Sequence, residues 1–371
     1  MKRKKYCIIA MMIVAVLTCT ACEKNVSSTA AQGFEEVQIE EKHLITEGVD
    51  TPIRIIEYSR YAGKDKECFL MEGDKVAVIS PSSLPNRTQV DTVVEGLKKW
   101  GYIPVEGKYV RTENRTLENC MEDLEWALED PEIRGIFCVR GGFASCEVME
   151  AMDRDLIAKA DKPIIGYSDI TACHSGWTTA GVPSIHASMS AAFSDLPEEC
   201  REAERRLLQG EIPKYQCDGS IYDHQGTAEG ILVGGNTTVL MTVANTPYDC
   251  TKQDQPYILF LEDVECDYHQ ILYALTVLKN NGVLDNAAGI ILGEWTDTDT
   301  ESGDYIGDSR GGRFASAYEM ICRQFLKDLD KPIAYGFPAG HGEKNYPLLM
   351  GEKARLTVSK DDFTLEWIDV E

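Results

Sequence analysis

Ser145 stands in the run Arg140-Gly141-Gly142-Phe143-Ala144-Ser145-Cys146, after a short apolar stretch and before a helical one at 147–152. A serine at a sharp strand-to-helix turn is exposed near the positive end of a helix, and glycines beside it let a substrate approach backbone N–H groups. That arrangement suits a nucleophile for a carbonyl carbon; it also suits an ordinary glycine-rich turn or a phosphate cradle. A serine nucleophile needs a base, and histidine is the usual one. The chain holds six: His43, His174, His186, His224, His269 and His341. His341 follows the strand-like Pro332-Ile333-Ala334-Tyr335 and lies in Gly336-Phe337-Pro338-Ala339-Gly340-His341-Gly342. Glycines on both sides pack poorly, so core burial is a weak explanation for this histidine. A third group must orient the imidazole. Glu262 and Asp263 stand side by side at the carboxyl end of a predicted strand over 257–261, where ligands of open α/β sheets gather. Spacing leaves both acids open.

The elements that must position these residues alternate. Val76-Ala77-Val78-Ile79 reads as a buried strand running into a loop, and Val90, Val93, Val94 and Leu97 fall on one face of a helix. Strands follow at 102–105, 135–139 and 162–166, with a second amphipathic helix carrying Leu117, Met121, Leu124 and Leu128. Further strands read at 230–236, 257–261 and 288–292, with a helix bearing Ile271, Leu272, Leu275 and Leu278 between the last two. Alternation of this kind predicts an α/β protein whose parallel sheets are covered on both faces. The fold expected is two-domain: an amino-terminal parallel sheet with flanking helices over 74–195, and a carboxy-terminal α/β domain over 228–371. The polar stretch 196–227 reads as the connection between them. Residues 296–313, rich in Asp, Gly, Ser and Thr, read as a long surface loop.

A formal charge of −24 argues against a nucleic-acid partner and against electrostatic docking on anionic lipid. The first residues read as a targeting segment: Lys2, Arg3, Lys4 and Lys5 precede an apolar run at 6–17. Cys19-Thr20-Ala21-Cys22 then resembles a bacterial lipobox, which implies removal of residues 1–21 and a lipid on Cys22. Residues 22–73 are an amino-terminal extension that begins as a small, polar tether. The protein is therefore expected to be exported and lipid-anchored, facing away from the cytoplasm. Ten cysteines remain beyond Cys22, with no Cys-x-x-Cys pair and no zinc-ligand spacing, and most read as buried free thiols.

Six segments together resemble the LD-carboxypeptidase family, which includes the microcin C immunity peptidases. They are 76–82 (VAVISPS), 135–145 (GIFCVRGGFAS), 163–171 (PIIGYSDIT), 230–236 (GILVGGN), 258–263 (ILFLED) and 336–351, in the family's order. Family members often carry Tyr and Gly where this chain has Phe143 and Ala144. The resemblance implies a catalytic triad of Ser145, Glu262 and His341, with backbone N–H groups of Gly142 and Cys146 receiving the oxyanion. It implies amide hydrolysis through an acyl-enzyme without metal or cofactor, a site between two α/β domains, and a homodimer. The substrate it implies is a murein tetrapeptide, cut before its terminal D-Ala. Two other readings stand beside that one: a peptidase inactivating a peptide antibiotic, and a lipoprotein that binds a solute for a transporter and does no chemistry.

Overall fold

The computed structural model describes residues 52–60, 69–300 and 314–368. The targeting segment, Cys22, Cys68, His43 and most of the 296–313 loop lie outside the described residues. The described chain begins with β1 (Ile53–Arg60). It continues through β2 (Lys75–Ile79), α1 (Arg87–Lys99), β3 (Ile103–Glu106), α2 (Leu117–Glu129), β4 (Ile133–Cys138), α3 (Ser145–Ala151), α4 (Arg154–Ala160), β5 (Ile164–Gly166), α5 (Thr171–Thr179) and β6 (Ser184–His186). Next come α6 (Glu198–Leu208), β7 (Glu211–Asp218), β8 (Gly226–Asn236), α7 (Thr237–Val243), β9 (Tyr257–Val264), α8 (Tyr268–Asn280) and β10 (Gly289–Thr296). The last strands are β11 (Ile333–Tyr335), β12 (Leu348–Met350), β13 (Lys353–Val358) and β14 (Asp362–Trp367).

The helices begin where their sequences cap them. Asn86 accepts from the Gln89 N–H at 2.9 Å while the Gln89 side chain accepts from the Asn86 N–H at 3.0 Å, closing a capping box on α1. Thr116 with Asn119, and Asp267 with Gln270, do the same for α2 and α8. In β2, Val76 to Ile79 are all buried, as expected where helices cover both faces of a parallel sheet.

Two sheets result. The first has the order β12-β6-β5-β4-β2-β3, parallel from β6 to β3, with β12 added antiparallel to β6. The second has the order β1-β7-β14-β13-β8-β9-β10-β11. Its β8 to β11 half is parallel and its β1 to β13 half antiparallel. The α/β class and the paired sheets match the sequence reading, but sheet membership crosses the expected boundaries. Residues 196–227, read as a connection, carry α6 and β7, and β1 from the amino-terminal extension pairs with β7. Conversely β12, from the carboxy-terminal part, extends the first sheet. The reason is visible in α6: its apolar face is only Cys200, Ala203, Leu207 and Leu208 among charged neighbours, too sparse to stand out as a periodic signal.

Both apolar clusters of the core mix residues of the two sheets. Val78 and Phe137 of the first cluster with Leu232, Ile258 and Phe260 of the second. Phe260 is fully buried, with its ring 5.2 Å from that of His186 and 6.5 Å from that of Phe337. Because it joins β9 to β6, Phe260→Ala should lower the unfolding free energy by about 3–5 kcal/mol. Equilibrium denaturation of the two proteins measures it; a loss under about 1 kcal/mol would mean the two sheets do not share this core.

Candidate active site

β4 delivers the chain into the turn that precedes α3. At Gly142 the backbone takes φ +125°, and a Cβ there would fall 2.1 Å from Ser83 Oγ, so only glycine fits. The following N–H, of Phe143, donates to Ser83 Oγ at 3.2 Å. Ala144 holds φ +94°, a conformation that costs a residue with a Cβ on the order of 1–2 kcal/mol. α3 starts at the next residue, Ser145.

Ser145 is fully buried, not exposed as the sequence suggested. Its N–H donates to Asp169 Oδ2 at 3.0 Å, and its hydroxyl donates to the carbonyl oxygen of Asp169. The same Oδ2 accepts from Ser82 Oγ at 2.6 Å. One buried carboxylate thus fastens the loop after β2 to the start of α3. Ser168, just before it, is a second residue with positive φ, at +64°. Asp169 and Ser82 are site residues that sequence reasoning did not single out. Both lie in the stretches VAVISPS and GYSDIT that carry the family resemblance, which was the available signal.

Glu262 lies in β9, fully buried, and its Oε2 accepts from His341 Nδ1 at 2.7 Å. The adjacent Asp263 is engaged elsewhere: it accepts from Asn236 Nδ2 at 2.9 Å, from the Thr238 N–H at 2.9 Å and from Thr238 Oγ1 at 2.7 Å. Geometry therefore chooses between the two acids. Asp263 ties down the start of α7, and Glu262 faces the histidine. The loop reaches Glu262 because Gly340 holds φ +135° and has no Cβ; one there would lie 2.8 Å from Glu262 Oε2. The Gly340 N–H is fixed in turn by Asn345 Oδ1 at 3.1 Å.

The flanking glycines do not leave His341 loosely packed. Its side chain is only 16% exposed, and its ring lies 4.9 Å from that of Tyr167. Tyr167 is two residues from Asp169, so the short segment 167–169 touches His341 at one end and holds Ser145 at the other. The structure joins His341 to Glu262 directly, and brings Ser145 near them through this segment without a hydrogen bond between Ser145 and His341. Gly142 lines an open cleft of about 680 Å³ together with Gly141 and Tyr167. Cys146, half-buried in the first turn of α3, accepts from Tyr248 Oη at 3.4 Å through its carbonyl. The nine described cysteines are free, seven of them buried.

The other histidines have different roles. His174 is satisfied in the core by Ser184 Oγ at 2.8 Å and the Gly166 carbonyl at 2.9 Å, and burial pushes its pKa down to about 4. His186 is fully buried, and burial holds it well below the ordinary imidazole value. At His341 burial again works most strongly against the charge. The Glu262 carboxylate and its hydrogen bond, backed by Asp263 and Glu265, overcome that and hold the imidazole above 6.5. Burial in turn holds Glu262 above its ordinary 4.5, with the attraction of His341 opposing. With Glu262 ionised, the neutral ring keeps its proton on Nδ1 and offers the Nε2 lone pair as a base. A third carboxyl stands close by. Glu294 sits where the β9–β10 pairing slips, and burial pushes it up to about 7 despite the Gly342 N–H. Among the described residues, no group of three or more His, Cys, Asp or Glu could hold a metal ion.

These features place the chain among serine-type α/β peptidases. The LD-carboxypeptidase N-terminal domain matches residues 76–187, and the LD-carboxypeptidase C-terminal domain matches 229–356. The murein tetrapeptide carboxypeptidase of Pseudomonas aeruginosa is 28% identical over 300 residues, covering 76% of this chain and 92% of its own. A carboxypeptidase-named protein of Synechocystis sp. is 31% identical over 293 residues, covering 77% and 92%. In three dimensions, the muramoyltetrapeptide carboxypeptidase from Oxalobacter formigenes aligns with a TM-score of 0.68 at 22% identity, over 78% of this chain and 97% of that one. The microcin C7 self immunity protein MccF, in complex with aspartyl sulfamoyl adenosine, aligns at 0.66 and 19% identity, over 82% and 99%. These two structures share the fold. The chain belongs to the LD-carboxypeptidase family, and it is a serine-type carboxypeptidase.

A base must be neutral to accept a proton, so kcat/KM should rise with pH as His341 deprotonates, with a midpoint above 6.5. Glu262→Gln removes the charge that raises it and leaves the burial that lowers it. The variant's midpoint should therefore move to lower pH while its maximal rate falls. Profiles between about pH 5 and 9 decide this; an unmoved midpoint would mean that the limb belongs to another group.

Proposed function

We propose that this carboxypeptidase hydrolyses the L,D-amide bond before the terminal D-Ala of a murein tetrapeptide, using Ser145, His341 and Glu262. The observation that carries the reading is the fully buried Glu262 holding His341 Nδ1 at 2.7 Å, beside the segment that anchors Ser145. His341 Nε2 takes the Ser145 proton as Oγ attacks the scissile carbonyl carbon. The Gly142 and Cys146 N–H groups receive the oxyanion, and His341 then protonates the departing amine of D-Ala. Water, activated by the same imidazole, releases the tripeptide from the ester. For this, Ser145 Oγ must turn away from the Asp169 carbonyl toward His341, a rotation about Cα–Cβ that leaves the N–H bond to Asp169 in place. Catalytic hydrogen bonds are often absent before substrate binds. The name of the Pseudomonas aeruginosa relative supports the murein substrate.

Mass spectrometry of purified murein tetrapeptide incubated with the protein tests this. Ser145→Ala and His341→Ala should each lower turnover by several orders of magnitude, and the double variant should lose little more. Glu262→Gln should cost less, since nucleophile and base remain. Near-normal cleavage by folded Ser145→Ala would remove the nucleophile assignment. Turnover of a peptidyl-nucleotide, with the tetrapeptide left intact, would replace murein by an antibiotic peptide as the substrate.

We propose separately that the enzyme is exported and carries a lipid anchor at Cys22. Its support is the basic start, the short apolar run and the Ala21-Cys22 junction. Cys22→Ala should abolish lipid labelling and leave the precursor at full size on a gel. Normal labelling and mature size would point to another anchor.

A further inference from the structure

We propose that Arg140 is the residue that recognises the free carboxylate of the substrate's terminal amino acid, a specificity role in the carboxypeptidase reaction. The inference rests on the reading of Ser145 and His341 as the reacting pair. A carboxypeptidase cuts only beside a chain's free end, so its cleft must tell a terminal carboxylate from a continuing peptide. A partly dehydrated carboxylate is best held by a guanidinium, whose planar N–H fork matches its two oxygens.

The cleft of about 680 Å³ is lined by Arg140 beside Gly141, Gly142 and Tyr167, the last in ring contact with His341. Arg140 is the only Lys or Arg in that lining. It also borders the smaller cleft, about 490 Å³, on the Phe143 side of the turn. Within the chain it is two residues before the proposed oxyanion donor Gly142 and five before Ser145. A terminal residue's carboxylate is separated from the scissile carbonyl by only the amide nitrogen and one Cα, so its receptor must lie close to the nucleophile, as a residue of the same turn does.

Arg140 combines that place in the larger cleft with a guanidinium held by carbonyls. Arg54, Arg111, Arg201, Arg205, Arg206, Arg323 and Arg355 each pair with an acid, whereas Arg115, in the smaller cleft, and Arg154 donate to the backbone carbonyls of Ser82 and Pro247. Arg140 has no carboxylate within ion-pair distance among the described residues. Its Nε donates to the Gly141 carbonyl at 3.2 Å and its Nη1 to the Leu84 carbonyl at 3.4 Å, while Nη2 has no acceptor among the described residues. Two carbonyl oxygens therefore orient the guanidinium and leave its charge uncancelled, in a chain whose formal charge is −24. The acid in the same lining, Asp195, accepts from Ser194 Oγ at 2.7 Å instead. An unneutralised cation beside the nucleophile turn is arranged for an incoming anion, and the anion a carboxypeptidase substrate always brings is its terminal carboxylate.

The test compares murein tetrapeptide ending in a free acid with the same peptide ending in a carboxamide. The wild-type protein should prefer the acid in kcat/KM. Arg140→Met should lower kcat/KM for the acid by about 30- to 1,000-fold while changing the amide about 3-fold or less, so that the preference collapses. Arg140→Lys, which keeps the charge but not the fork, should restore part of it. Binding of both peptides to the Ser145→Ala protein, with and without Arg140→Met, should show the same loss of discrimination without turnover. An equal fall for acid and amide would mean that Arg140 only supports the turn, and would overturn the proposal. So would a preference that survives Arg140→Met, or one that disappears with Arg115→Met instead. If the wild-type protein cuts and binds no murein peptide, the murein reading fails. The acid and amide comparison then runs on whichever peptide it does cleave, and Arg140 is judged by the same outcomes.

Discussion

The site depends on one buried hydrogen bond, from His341 Nδ1 to Glu262. A carboxylate with no exposed surface at the end of a sheet strand costs several kcal/mol in lost hydration. Glu262 is compensated by the imidazole on Oε2, while its Oε1 has no hydrogen-bond partner among the described residues. Removing the histidine would strand a charge, and removing the acid would free the ring. Each group is therefore a condition for the other's position and protonation. The surroundings are arranged to bring them together: β9 ends beneath the loop, Asp263 is drawn off by α7, and Gly340 removes the one Cβ that would push the loop away.

Because that pair belongs to the second sheet and Ser145 to the first, the two sheets must be fixed to each other. The interleaving does this. β12 leaves the segment just after the His341 loop and pairs with β6 of the first sheet, its Leu348 opposite His186. Asn345, between them, holds the Gly340 N–H and donates to Ser188 Oγ at 3.1 Å. The histidine loop is thus tied into the nucleophile's sheet at its far end, and Phe260 packs against His186 from below. A site shared by two sheets that could slide would lose its geometry with a displacement of about 1 Å.

Much of this was legible in the residues. The apolar runs of β2, β4, β9 and β10 and the amphipathic faces of α1, α2 and α8 have clear periods, because each is buried by one regular surface. Ser145 and His341 stood out because glycines mark turns and close approaches. What could not be read was pairing at a distance. Glu262 and Asp263 are neighbours with the same chemistry, and only the fold of α7 onto Asp263 separates them. The sheet membership of β1, β7 and β12 was equally hidden, since a short strand does not state its partner. Asp169 was marked only by lying in the GYSDIT stretch, which does not reveal its role: that comes from Ser82 and Ser145 arriving at one oxygen from 87 and 24 residues away.

The nucleophile turn is where local preference gives way to these long-range constraints. Ala144 and Ser168 both hold positive φ without being glycine, and together they border the serine. Such conformations persist only when the surroundings over-determine them. Here Asp169 does so: its carboxylate takes the Ser145 N–H and the Ser82 hydroxyl, and its carbonyl takes the Ser145 hydroxyl. The backbone of the serine is therefore fixed by a bond that chemistry need not break, while its hydroxyl rests on a neutral carbonyl that it can leave. Strain in the turn and freedom in the hydroxyl are two consequences of one carboxylate placed behind the nucleophile.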